Sequence, residues 1–286
     1  MFSSVNTNMG AMVALQSLNR TNSEMATTQK AISTGLRVAD AKDDGAAFAV
    51  AERVRSNVGA LTSANQQLRG VKGTVDSTLG ALKEVSSVMK DMKEVLIKLA
   101  SSDVQGESRV NYKQAYNDKL TSIKNFIADA SKNSNGGALI TAEAAASQPA
   151  NYGNISVVRN EAGENMSITA VSLEAEIVGI TYSDADLNSA TAVQGHLASG
   201  ASYDDAFDKI GREANAFGTK AKYIDNQLSY NETKIDAMKG GLGALIDADL
   251  TKEAANLQAL QVRQQLGTQS LSMANQASQS LLSLFR

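Results

Sequence analysis

From Val50 to Leu99 an apolar residue returns every three or four positions: Val50, Val54, Val58, Leu61, Ala64, Leu68, Val71, Val75, Leu79, Leu82, Val85, Met89, Met92, Leu96 and Leu99. The mean step is about 3.5, the period of helices wound around one another rather than of a lone straight helix. No proline interrupts the run, since the only one in the chain is Pro149. At 1.5 Å per residue such a helix would extend for roughly 75 Å. That is too long for one wall of an ordinary domain, so it needs partners along its whole length.

The strongest candidate partner runs from Tyr203 to Leu245. Its seam is Tyr203, Phe207, Ile210, Ala214, Phe217, Ala221, Ile224, Leu228, Asn231, Ile235, Met238, Leu242 and Leu245, with steps of four and three in strict alternation. Asn231 is its single polar member, the type of residue that fixes register at a cost in stability. The glycines of Gly240-Gly241-Leu242-Gly243 are expected to loosen the end of this helix. A shorter helix with the seam Tyr112, Tyr116, Leu120, Ile123, Ile127 and Ala130 follows the polar break at 100–103 and is expected to fold back on the long one.

Both ends of the chain are amphipathic and nearly uncharged. The first segment repeats Ala11, Leu15, Leu18, Asn22, Met25, Gln29, Ile32 and Leu36, and carries only Arg20, Glu24 and Lys30 as charges before Arg37. The last helix, expected from about Asp249 to Phe285, carries two apolar seams. One is Leu257, Leu260, Leu271, Ala274, Leu281 and Phe285, and the other is Ala259, Val262, Leu266, Met273, Ala277 and Leu284. A monomer would hold such faces poorly in water, so the chain is set up to self-associate. Repeated identical contacts that do not close into a ring give a helical polymer.

Between the first helix and the long one, Gly35, Gly45 and a cluster of charges mark an irregular connector. Asp40, Asp43 and Asp44 invite a calcium reading, but their spacing does not match an EF-hand and no Glu completes a site. From Ser131 to Gly200 helical periodicity stops. Ile155-Ser156-Val157-Val158 and the run from Met166 to Val171 read as strands around the turn material Asn160–Gly163. The alternation of Val178, Ile180 and Tyr182 suggests a further strand. This stretch holds seven acidic residues against two basic ones, as expected of a solvated surface.

The chemistry of an enzyme is missing. His196 is the only histidine and reads as a solvated loop residue. There is no cysteine, no His-Glu-x-x-His helix and no phosphate loop, so neither a metal nor a cofactor is expected. With a net charge of −3 and no basic stripe, nucleic acid is not an expected partner. No apolar run reaches the length of a membrane span, and insertion into a membrane is not expected. The first residues, Met1-Phe2-Ser3-Ser4-Val5-Asn6, lack the basic start and apolar core of a secretory signal. They point either to the cytoplasm or to export without a cleaved signal.

The run Ser33-Thr34-Gly35-Leu36-Arg37-Val38-Ala39-Asp40-Ala41-Lys42-Asp43-Asp44-Gly45-Ala46 resembles the signature of bacterial flagellins, with Gly35, Leu36, Arg37, Ala41, Lys42, Asp43 and Asp44 carrying the match. The start (Val5-Asn6-Thr7-Asn8, Ala14-Leu15, Leu18-Asn19) and the end (Asp247-Ala248-Asp249, Gln264-Gln265-Leu266-Gly267-Thr268, Ala274-Asn275-Gln276, Leu281-Leu282-Ser283-Leu284) are similar to the same family. The likeness is to short flagellins of the alphaproteobacterial kind, without large outer domains.

That resemblance implies a mainly α fold: a long antiparallel, coiled-coil-like bundle of N- and C-terminal segments with a small central β-hairpin region. Its implied divisions are an inner-tube helix at 1–36, rod helices and connector at 37–130, a variable centre at 131–200, a rod helix at 201–245 and a second inner-tube helix at 246–286. The implied function is a structural subunit that polymerises into a swimming filament outside the cell, exported as a largely unfolded chain by the flagellar type III apparatus. Its partners would be copies of itself, an export chaperone, a filament cap and hook-junction proteins. Leu15, Leu18, Ile32, Leu257, Leu271, Leu281, Leu284 and Phe285 are the expected packing residues of the terminal helices. Many flagellins carry a Leu-Gln-Arg-Val-Arg-Glu-Leu type of run on the long helix, read by an innate immune receptor. Here Met89-Lys90-Asp91-Met92-Lys93-Glu94-Val95 stands in its place, with Asp91 where the first arginine would be. Alternatives left open by the residues alone are a hook–filament junction protein and a secreted coiled-coil adhesin whose centre is the active part.

Overall fold

The computed structural model describes residues 8–131, 138–141, 143, 152–198 and 201–284, with 131 and 277–284 as backbone alone. The expected packing residue Phe285 therefore lies outside the described residues, as do the side chains of Leu281 and Leu284. The chain forms two compact units: Met1–Ser56 with Asp236–Arg286, and Asn57–Ile235.

The unit Asn57–Ile235 is built on helix α2 (Gly45–Leu99), from residue 57 onward. Its apolar seam is buried from Leu61 through Ala64, Leu68, Val71 and Val75 to Leu82, Val85, Met89, Met92, Leu96 and Leu99. Helix α3 (Gly106–Ser131) runs back along it and buries Tyr116, Leu120, Ile123, Ile127 and Ala130. The antiparallel register shows in the Lys119–Asp91 ion pair at 3.2 Å and in Arg109, which reaches the carbonyl of Leu99 at 2.7 Å. Helix α7 (Ser202–Ile246) supplies the other long wall, with Ile210, Phe217, Ile224 and Leu228 inward. It too is antiparallel to α2: Lys93 pairs with Asp204 at 2.9 Å, Lys72 with Asp225 at 3.4 Å and Arg69 with Glu232 at 2.6 Å. Each fully buried large apolar side chain contributes about 1.5–3 kcal/mol, so the seam itself dominates the stability of this unit.

Asn231 is fully buried, as its place on the seam requires. Its amide donates to Asn65 Oδ1 on α2 at 2.8 Å and to the Arg159 carbonyl at 3.0 Å, while its own oxygen accepts from Gln227 at 2.9 Å. A slip of α7 by one heptad would strand these groups, and an unpaired buried amide costs about 1–3 kcal/mol.

The expected hairpin is present. Strands β2 (Ile155–Val158) and β3 (Asn165–Ile168) pair antiparallel, with Ile155 opposite Ile168. A second, parallel pair joins β1 (Ile140–Thr141) to β4 (Val171–Ser172) and was not legible in the sequence. The centre is also more helical than the periodicity suggests. Residues expected to continue as a strand around Val178 and Ile180 belong to helix α4 (Glu174–Gly179) and its end. Val178 faces out and Ile180 faces in because they flank a helix terminus. Helices α5 (Asp184–Asn188) and α6 (Ala190–Leu197) follow, capped by Ser183 and Ser189 and anchored by the buried Leu187 and Val193. His196 is not a loop residue. It stands on α6 with its ring stacked on Tyr182, centroids 3.9 Å apart, and Tyr182 stacks in turn on Tyr116.

The expected loosening at Gly240–Gly243 does not occur, since α7 continues to Ile246. Ile246 is buried against Val38, Ala47 and Ala51, and this small core holds the glycine-rich turns in place. The start of α2 also corrects the expected seam: Ala51 is buried while Val50 is exposed.

Candidate functional site

The other unit contains the two nearly uncharged ends. Helix α1 (Met9–Thr34) packs antiparallel along helix α8 (Leu250–Leu284). Asn8 Nδ2 donates to the Ala274 carbonyl at 2.9 Å, Gln264 Nε2 donates to Asn22 Oδ1 at 2.8 Å, and Arg263 lies 3.7 Å from Glu24. A Cβ placed on Gly267 would sit 3.4 Å from Leu18 Cδ1, so the two helices touch closely there.

The contact face differs from the expected first heptad. On α1 the covered apolar and small positions are Ala11, Ala14, Leu18, Thr21, Met25, Thr28, Ala31 and Ile32, four of them on the expected heptad, while Asn22 and Gln29 are exposed. On α8 they are Glu253, Leu257, Leu260, Gln264, Gly267, Leu271 and Ala274. The pairing takes the small residues Ala14, Thr21 and Thr28 where the heptad offered the larger Leu15, Asn22 and Gln29, because small side chains let the backbones approach. Leu18, Ile32, Leu257 and Leu271 thus lie half-buried on the pairing face. Leu15 faces outward, as do Met12, Val13, Val262, Leu266 and Met273, all about half exposed or more. Among the described side chains the second seam of α8 (Ala259, Val262, Leu266 and Met273) is left bare, so along that stretch the helix pair is covered on one side.

The connector at 35–44 joins this pair to α2. Gly35 ends α1 in a left-handed conformation (φ 70°) that a side chain would disfavour. Leu36 bridges to Asp247, Arg37 N–H donates to the Ile246 carbonyl at 2.7 Å, and the Arg37 guanidinium reaches the Leu245 carbonyl at 2.6 Å. Ala248 N–H returns a bond to the Gly35 carbonyl at 2.9 Å. The carboxylates have internal partners. Lys30 Nζ bonds Asp40 at 2.7 Å and Asp43 at 2.8 Å. Asp43 Oδ2 also accepts from the backbone of Ala39 and Asp40, and Asp40 Oδ1 accepts from Lys42 N–H. Asp44 caps α2 through Ala46 and Ala47 N–H, each at 3.0 Å. Asp249 does the same for α8 through Thr251 and Lys252. Ala41 and Lys42 side chains point to solvent. An ammonium group and backbone N–H groups occupy the acceptors that a cation would need. Sequence reasoning named the acids and missed Lys30, whose role depends on α1 ending where it does.

Lys30 holds both carboxyls below the ordinary value of 3.8, helped at Asp40 by the Lys42 N–H and at Asp43 by the Asp40 and Ala39 N–H groups. The carboxylates in turn raise Lys30 above 10.5. The stabilisation from the acids is therefore present above pH 3.8 and lost as pH falls through their lowered midpoints. That from Lys30 is present below 10.5 and lost as pH rises through its raised one. Carboxyl-carbon NMR should give midpoints under 3.8 for Asp40 and Asp43, and Lys30→Met should move both upward. Unchanged midpoints in that variant would mean the lysine is not their cause.

Asp91 is exposed on α2 and paired with Lys119. Among the described residues no group of potential metal ligands gathers, and no helix is long and apolar enough to cross a membrane.

Comparison with known proteins places these features in context. The family described as bacterial flagellin N-terminal helical region matches residues 5–144, and bacterial flagellin C-terminal helical region matches 201–285. Flagellin FljK of Caulobacter vibrioides is 31% identical over 283 residues, covering 99% of this chain and 98% of that protein. Flagellin FljO of the same organism is 32% identical over 283 residues with the same coverage. A flagellin of Brucella melitensis is 32% identical over 297 residues, covering 99% of each.

Proposed function

The chain belongs to the bacterial flagellin family, and on that premise we infer that it is the repeating structural subunit of a flagellar filament, joined to its copies through the outer face of the α1–α8 pair. The observation that carries this reading is the bare apolar side of two nearly uncharged helices, in a chain matched along its length by proteins named flagellins. A monomer gains nothing from Leu15, Val262 and Leu266 in water, whereas a neighbouring copy that covers them gains about 25 cal/mol per Å² of apolar surface.

Leu15 then serves subunit contact, while Leu18, Ile32, Leu257 and Leu271 serve the pair itself; Leu281, Leu284 and Phe285 are assigned to the same assembly role. The division into terminal-helix, rod and central segments follows the same logic. The filament stands outside the cell, and the chain reaches it unfolded through the flagellar export route. An export chaperone, the filament cap and hook-junction proteins are its expected transient partners, and the exposed terminal faces suit all three. The work is mechanical, and no turnover is assigned to it.

Seeded growth tests the reading. Purified full-length monomer added to short filament seeds should give long uniform filaments by negative-stain electron microscopy, and a chain trimmed to 40–245 should give none. Closed oligomers from the full-length chain would overturn it.

Asp91 bears on detection by a host. A carboxylate where other flagellins present an arginine opposes a contact built for positive charge. The purified protein should activate the flagellin-sensing Toll-like receptor weakly in reporter cells, and activation at the potency of an enteric flagellin would refute this.

A further inference from the structure

The chain has no cysteine, so methionine is its only sulfur chemistry. The described methionines range from fully buried to well exposed. Met89 and Met92 are fully buried and Met166 is 8% exposed, whereas Met9, Met12 and Met273 are 68%, 60% and 57% exposed. Met25 and Met238 lie between these groups. The three open thioethers gather at one end of the helix pair. Met9 and Met12 are one helical turn apart on α1, and the Asn8–Ala274 hydrogen bond sets that turn beside Met273. A Cβ on Gly10 would lie 4.0 Å from Ala274 Cβ, which fixes the same level.

We propose that Met9, Met12 and Met273 form an oxidation site for peroxides that blocks addition of the free subunit to a filament. The step is an oxygen transfer. A thioether lone pair attacks one peroxide oxygen, the O–O bond breaks, a sulfoxide forms, and hydrogen peroxide leaves as water. The sulfur is oxidised by two electrons and the peroxide is reduced by two. The sulfoxide is a strong hydrogen-bond acceptor on a side of the pair that also carries the exposed apolar residues Val13, Leu15, Val262 and Leu266. Covering that face leaves the new oxygen without a partner, whereas the original thioether is covered at no such cost. The proposal rests on the filament reading, because only assembly covers these residues. Once covered they are closed to peroxide, so the device acts on new subunits and spares the finished polymer.

The test begins with untreated monomer and seeds. If no growth occurs, the filament reading fails and this proposal with it. Given growth, hydrogen peroxide is added to monomer, and separately to finished filaments, before peptide mass spectrometry. Monomer should gain one oxygen at each of Met9, Met12 and Met273 before Met89, Met92 or Met166, and filaments should resist at those three. Treated monomer should elongate seeds at least about tenfold more slowly, the ratio expected for one unpaired polar group in a covered apolar face. Methionine sulfoxide reductases should restore the rate. The triple variant Met9→Leu, Met12→Leu and Met273→Leu should keep its growth through peroxide. Treated wild type growing at the untreated rate would overturn the proposal, and so would an equal loss of growth in the triple variant. If the leucine variant does not grow even untreated, reductase rescue of the wild type decides: recovery supports the site, and failure to recover refutes it.

Discussion

Leu271→Asp is expected to abolish filament growth while leaving the unit Asn57–Ile235 folded. Leu271 lies half-buried on the face of α8 that packs against α1, one turn from Gly267, which lies against Leu18. The substitution removes apolar contact and puts a charge into a groove with few compensating cations. Losses of this type amount to about 2–5 kcal/mol. Much of the pairing of α1 with α8 is at stake in that sum, and an unpaired α8 presents no fixed outer face to a neighbour. At about 1.4 kcal/mol per factor of ten, the monomer concentration needed for growth rises by about thirtyfold to a few thousandfold. Sedimentation and negative-stain microscopy after seeding would read the loss, and a retained thermal transition would show the other unit intact. Leu266→Asp is the companion variant. That side chain is 62% exposed, so helix pairing should survive while growth still fails. Normal filaments from both variants would remove the terminal helices from the assembly mechanism.

The second large effect is at Arg109, which is 5% exposed and, among the described residues, has no carboxylate hydrogen-bond partner. Its guanidinium donates to four carbonyls: Leu99 at 2.7 Å and Ser101 at 3.3 Å at the end of α2, Val104 at 2.9 Å in the turn, and Leu187 at 2.7 Å on α5. One side chain thus satisfies the open C-terminus of the longest helix and ties the central helices to it. Arg109→Met keeps most of the volume and strands those acceptors. Hydrogen bonds from a charged group contribute about 1.5–3 kcal/mol each, but water reaches some acceptors once the arginine is gone, so a net loss of about 3 kcal/mol is expected. For a unit of this size that lowers the melting temperature by about 6–12 °C. A shift of under 2 °C would mean the turn is held by other contacts, chiefly Gln194 Nε2 to the Ala100 carbonyl.

These two residues mark what could and could not be read from the chain. The long walls α2 and α7 were legible because their apolar period runs unbroken and burial follows it nearly residue by residue. Choice between two apolar stripes on one helix was not legible. Leu15 and Ala14 lie on adjoining stripes of α1, and only the shape of α8 selects Ala14 for the pair. Arg109 left no signal, since its partners are carbonyls that come together only in the fold. The short helices α5 and α6 did leave one: Ser183 with Asp186 is a capping box, and Ser189 a second cap, inside a stretch too short for periodicity. Lys30 and the acids of the connector were visible singly, but their pairing depends on the turn at Gly35.

The partners of the terminal unit are drawn from opposite ends of the chain. Asn8 and Ala274 are 266 positions apart, Asn22 and Gln264 are 242 apart, and Arg37 and Leu245 are 208 apart. Contacts this remote form late, because almost the whole chain must be present before they close. A copy delivered end first, from either end, carries its leading helix without a mate until the trailing one arrives. Closure of the pair therefore certifies that a copy has come through whole. A copy cut short at either end leaves one helix single and has no completed pair to offer its neighbours.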